Sequence, residues 1–65
     1  MNLYICDIKQ LSFYLNISIS EVRKLVRERE IPHFRIGNRI KFNIDTINNW
    51  IENLEQIESH KSVLY

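Results

Sequence analysis

Residues 18–42 constrain the fold most, because they read as a capped basic helix followed by a basic two-stranded ribbon. Ser18 with Glu21 three residues on forms a capping box, in which each side chain satisfies an otherwise unpaired backbone N–H of the first turn. Val22, Leu25 and Val26 then recur at i, i+3 and i+4 and make one apolar stripe that has to be buried. Ser20, Lys24 and Arg27 point the other way, with Arg23 on their shoulder. The ribbon is His33-Phe34-Arg35-Ile36 and Arg39-Ile40-Lys41-Phe42, joined by Gly37-Asn38, a two-residue hairpin signal containing the only glycine. Arg35 falls opposite Phe34 and Ile36, and Arg39 and Lys41 fall opposite Ile40 and Phe42. The alternation therefore predicts a ribbon with one apolar side and one basic side.

Charge follows the same division. The net charge is only +1, yet seven of the nine Lys and Arg residues lie within residues 23–41. That segment carries +5, against −1 for residues 1–22 and −3 for residues 42–65. A concentrated cationic patch on a helix and ribbon is the electrostatic footprint of a phosphate binder.

Upstream, Asp7 and Gln10 make a second capping box, opening a helix that ends at Leu15. Ile8, Leu11, Ser12 and Leu15 share a face, and Ser12 is small enough for another helix to approach. Phe13 and Tyr14 are expected to complete the core rather than stack on bases. Asn16, which enters the left-handed region cheaply, suits the exit. Two short capped helices around a tight turn make a helix-turn-helix. Downstream, Pro32 and the extended bias it places on Ile31 end the helical region and launch the ribbon. His33 reads as a surface residue without special function. A last helix is expected from Asn43 to about Glu58, with Ile44, Ile47, Trp50, Ile51 and Leu54 on one face and Trp50 as the largest apolar anchor. Its acidic side, Glu52, Glu55 and Glu58, should sit away from DNA.

With 65 residues, one domain with a small core is expected, since such chains bury only about 60% of their unfolded surface. The expected organisation is mainly α with a small β-hairpin, a winged helix-turn-helix over residues 1–58, and a flexible tail at 59–65. Cys6 is the single cysteine and reads as a small buried hydrophobe. No metal-ligand spacing, phosphate-cradling loop or nucleophile with an adjacent base is present in the sequence, so no enzyme, cofactor or metal is expected. No apolar run resembles a membrane span or signal peptide, and a cytoplasmic protein is expected. The absence of alanine beside abundant Ile and Asn points to an AT-rich bacterial, phage or mobile-element genome.

The runs Asp7-Ile8-Lys9-Gln10-Leu11, Leu15-Asn16-Ile17-Ser18, Val22-Arg23-Lys24-Leu25-Val26-Arg27-Glu28, Ile31-Pro32, Phe34-Arg35-Ile36-Gly37-Asn38-Arg39 and Trp50-Ile51 resemble the excisionase-like group of MerR-type winged helix-turn-helix DNA-binding domains. The resemblance covers residues 6–51. It implies a recognition helix at residues 18–27, with Ser18, Ser20, Arg23, Lys24 and Arg27 at the major groove. It also implies a wing whose Arg35, Asn38, Arg39 and Lys41 hold backbone or minor groove. The chain departs from the family's pattern at Arg29, where Gly is common after the recognition helix, so that the helix is expected to run on or close differently. It departs again at Asn43, where Pro is common but where Asn can cap the last helix.

The reading is a small DNA-binding protein of excisionase or transcription-regulator type from a mobile genetic element; the resemblance to excisionases favours recombination, and excision, transcription and replication all stay open as the process served. A single module contacting few base pairs binds modestly, so a dimer, a cooperative array or a larger protein partner is expected. The competing reading is an accessory subunit of a replication or recombination enzyme, acting through a protein partner and on single-stranded DNA. In that case Ile57, Val63, Leu64 and Tyr65 are the candidate partner surface. A third reading is an adaptor that no longer binds DNA.

Overall fold

In the computed structural model of the chain, residues 4–63 are described, with side chains through residue 58. Three helices and a three-stranded antiparallel sheet follow in the order β1(Ile5–Cys6), α1(Ile8–Leu15), α2(Ile19–Arg27), β2(Phe34–Ile36), β3(Arg39–Asn43), α3(Ile44–Val63). β3 is the central strand, flanked by β1 and β2.

The caps behave as their residue types require. Asp7 and Gln10 close one capping box, Ser18 and Glu21 the other, with the two cap oxygens accepting at 2.8 and 3.0 Å. Asn43 caps α3, its Oδ1 accepting from the N–H groups of Asp45 at 2.9 Å and Thr46 at 3.3 Å. α1 and α2 end in the same way. Asn16, at φ 59°, donates to the Phe13 carbonyl while Ile17 donates to Ser12. Arg29, at φ 57°, donates to Val26 while Glu30 donates to Leu25. Arg29 thus takes the left-handed conformation that glycine would adopt without a Cβ penalty. α2 stops on schedule, and the expectation that it might run on is corrected.

Cys6, Leu11, Val22, Val26, Ile31, Phe42 and Ile47 form the buried core, and Phe42 is its largest fully enclosed side chain. Ile8, Leu15, Leu25, Ile40, Trp50 and Ile51 pack around it, half-buried. The role of largest anchor expected for Trp50 belongs to Phe42, which sits on the central strand, where α1 and α3 pack against it and the core cluster closes over it. Ser12 is buried, and its hydroxyl donates to the Lys9 carbonyl at 2.7 Å.

Three expectations are corrected. Phe13 is 80% exposed, and Tyr14 reaches out to α3, its hydroxyl donating to Asn48 Oδ1 at 2.6 Å, so neither completes the core. The chain's small size leaves Phe13 without a core to enter, while Tyr14 bridges to α3. The ribbon does not segregate into apolar and basic sides. Its register pairs Phe34 with Lys41, Arg35 with Ile40 and Ile36 with Arg39, and cross-strand partners share a face. Phe34, Ile36, Arg39 and Lys41 therefore stand on one side, and Arg35, Ile40 and Phe42 on the other. Finally, α3 continues to Val63, past the end expected near Glu58, and its residues 52–58 are all exposed.

Candidate nucleic-acid interface

The hairpin and α2 together build a concave cationic surface. Gly37, at φ 59°, and Asn38 form the turn, so that β2 folds directly back onto β3. Because Arg35 is paired with Ile40, its guanidinium leaves the wing on the side facing α2. Arg23 and Arg27 lie one turn apart on α2 and meet it there. These three arginines and Asn38 ring a hollow of about 410 Å³ whose floor is Ile8, Val26 and Ile40. All three arginines are exposed, so their charge is displayed to solvent rather than drawn into the core.

A second hollow, of about 290 Å³, shares Ile8 and Ile40 with the first and is lined by Lys9, Arg39 and Lys41, with Asp7 the one acid in its wall. The common walls make the two hollows neighbours. Six cations thus border two adjoining hollows, Arg23, Arg27 and Arg35 the first and Lys9, Arg39 and Lys41 the second, with Arg35 on the opposite face of the wing from Arg39 and Lys41. Phosphate oxygens are attracted to such a surface by Coulomb forces and by release of condensed counterions, while guanidinium forks offer paired donors to phosphate or guanine.

The other residues expected at the site are placed as follows. Ser20 is exposed on α2. The Ser18 hydroxyl is engaged in the capping box, accepting from Glu21 N–H and donating to Glu21 Oε1 at 3.3 Å. Lys24 is exposed but lines a different hollow, between α2 and α3, together with Glu21, Glu28 and Glu30. Ile57 is exposed on α3, whereas the side chains of Val63, Leu64 and Tyr65 lie outside the described residues. Lys9 escaped the sequence reading. Its place beside Arg39 and Lys41 depends on β1 leading α1 in alongside β3, and no periodicity in α1 announces that. His33 is half-buried, and its Nδ1 lies 2.8 Å from the Ile31 carbonyl. A carbonyl can only accept, so Nδ1 carries the proton.

Cys6 is buried opposite Phe42. Burial, reinforced by Asp7 and opposed by Lys41, pushes its thiol above the ordinary value. The protonated thiol is a poor nucleophile and metal ligand. Among the described residues no cluster of His, Cys, Asp and Glu could hold a metal ion, and no helix is long and apolar enough to cross a membrane.

Two capped helices around a tight turn, a hairpin wing and a closing helix, with cations gathered where helix and wing meet, define a winged helix-turn-helix module. A family model described as a helix-turn-helix domain matches residues 5–55, and the chain belongs to that family of DNA-binding domains. Neither curated proteins nor solved structures gave a match to the chain.

Proposed function

We propose that this chain is a small duplex-DNA-binding protein of the excisionase or transcription-regulator type, MerR-like in its wing. The observation that carries the reading is the convergence of Arg23, Arg27 and Arg35 around one hollow between α2 and the wing. α2 enters the major groove. Arg27 and Ser20, with Lys24 at the edge of the helix, face base edges, while Arg23, Arg35, Arg39 and Lys41 hold phosphates. Asn38, at the wing tip, approaches the backbone. A module of this size buries roughly 600–1,000 Å², so specificity is reached by cooperative binding at repeated sites or through a larger recombination protein. Selecting preferred duplexes from a random pool, then repeating with the Lys24→Ala/Arg27→Ala variant, tests the role of α2. Loss of sequence preference is expected, and an unchanged preference removes α2 as the reading element.

The exposed residues 52–58 of α3 favour a second reading, an accessory subunit whose DNA binding tightens only beside its enzyme. Weak, sequence-indifferent binding by the isolated chain, on single and double strands alike, would select this reading. An adjacent integrase gene would point to excision, and an adjacent polymerase or primase gene to replication.

A further inference from the structure

On the flank of α2 away from Arg23, a hollow of about 840 Å³ separates α2 from α3. Its walls are apolar at Leu15, Ile17, Leu25, Trp50, Ile51 and Leu54. Leu54 and Ile57 are 44% and 55% exposed and prolong the Trp50 stripe along α3 at helical spacing, beyond the point where the domain covers it. Isolated helical turns gain little in water, so a bare stripe of this kind gains most from a partner. The rim is acidic. Glu21, Glu28 and Glu30 surround the groove against the single cation Lys24, and Glu55 follows on α3.

We infer that this groove is a docking site for a basic amphipathic helix of another protein, one presenting Leu or Ile on one face with Lys or Arg flanking them. The apolar floor between two helices suits a helix laid in a groove, and the carboxylate rim selects its flanking charge. A second copy is disfavoured on two counts. A copy offering its α3 stripe to this groove brings the acidic face of Glu52, Glu55 and Glu58 toward the acidic rim, and the cationic surface of a second copy is the one that DNA occupies in the proposed function. The groove opens on a different side of α2 from the Arg23, Arg27 and Arg35 hollow, and Lys24 is the one residue that borders the groove and is also assigned to DNA in the proposed function. The peptide arm of the test stands on the groove alone, while the exclusion of a second copy and the duplex control rest on the proposed function.

Trp50, the only tryptophan, lines the groove and reports its occupancy. The probes are two helical peptides of about 15 residues without Trp or Tyr, carrying one leucine stripe flanked by lysines in one and by glutamates in the other. The lysine peptide should shift Trp50 emission to the blue and bind about tenfold more tightly than the glutamate peptide, as a few exposed charge pairs allow. Glu28→Lys with Glu30→Lys should reverse the preference, sparing Glu21 because it belongs to a capping box. Leu54→Asp, at an exposed position, should abolish peptide binding and leave duplex binding unchanged. Equal binding of the two peptides, or binding of neither, overturns the inference. So does a concentration-dependent dimer in sedimentation that Leu54→Asp dissolves, because the occupant is then a second copy. Loss of duplex binding in Leu54→Asp would also overturn it, since the groove would then belong to the DNA surface.

Discussion

Arg35 lies directly across the hairpin from Ile40, and this pairing turns its guanidinium toward α2 and the Arg23, Arg27 ridge. One residue further along, Ile36 lies across from Arg39 and shares its face. The wing therefore carries its half-buried isoleucine toward the body and its other isoleucine, 59% exposed, toward solvent. The two positions should differ in cost. Ile40→Ala should destabilise the domain by about 1–3 kcal/mol, while Ile36→Thr stays within about 0.5 kcal/mol. Urea unfolding of the two variants decides this, and equal losses would mean the register is shifted by one.

Arg29 holds a left-handed conformation at φ 57° to terminate α2. Relief of that strain, partly offset by the greater backbone freedom of glycine when unfolded, should make Arg29→Gly more stable by about 0.5–1 kcal/mol. The thermal midpoint should rise by a few degrees, with Arg29→Ala giving no such gain. A fall in the midpoint of Arg29→Gly would show that the arginine side chain contributes more than its backbone costs.

Phe42 is fully enclosed on the central strand, and Phe13 projects from α1 into solvent. Phe42→Ala should cost about 3–5 kcal/mol, enough to unfold a domain of this size. Phe13→Ser should change stability by less than about 0.5 kcal/mol. Circular dichroism with thermal melts separates the two outcomes.

Cys6 titrates higher in the folded chain than its ordinary value of 9.0, chiefly through burial. The folded state therefore holds the proton more tightly than the unfolded state. Its contribution to stability is complete below the unfolded pKa and is lost as pH rises through that value toward the folded one. Wild type should lose stability relative to Cys6→Ala from about pH 9 upward, and the gap between them should be constant below that. A gap that stays constant through pH 10 would contradict the burial of the thiol.

Much of this fold was legible from local chemistry. Both capping boxes, the Asn16 exit, the Asn43 cap and the Gly37-Asn38 turn are each set by a few neighbouring residues, and the helices begin where those residues require. The sidedness of the wing was harder to read. Alternation along each strand gives two faces but not which face of β2 meets which face of β3, and that is fixed by the two-residue loop pairing Ile36 with Arg39. The exposure of Phe13 and the partial burial of Trp50 were hidden for another reason. A core of this size covers only part of each apolar stripe, and which part depends on how α3 crosses β3. The concentration of charge in residues 23–41 did indicate a cationic surface, although Lys9 joins it and Lys24 sits apart only through tertiary placement.

The central claim is that Arg23, Arg27 and Arg35 act together on phosphate and base edges of duplex DNA. It is tested most directly by measuring duplex affinity across a salt series for wild type and for the three single alanine variants. Each variant should bind more weakly and lower the slope of log K against log salt by up to about 0.9, with the triple variant losing about 2–3 units. A wild-type affinity independent of salt, or slopes unmoved by all three substitutions, would contradict the account.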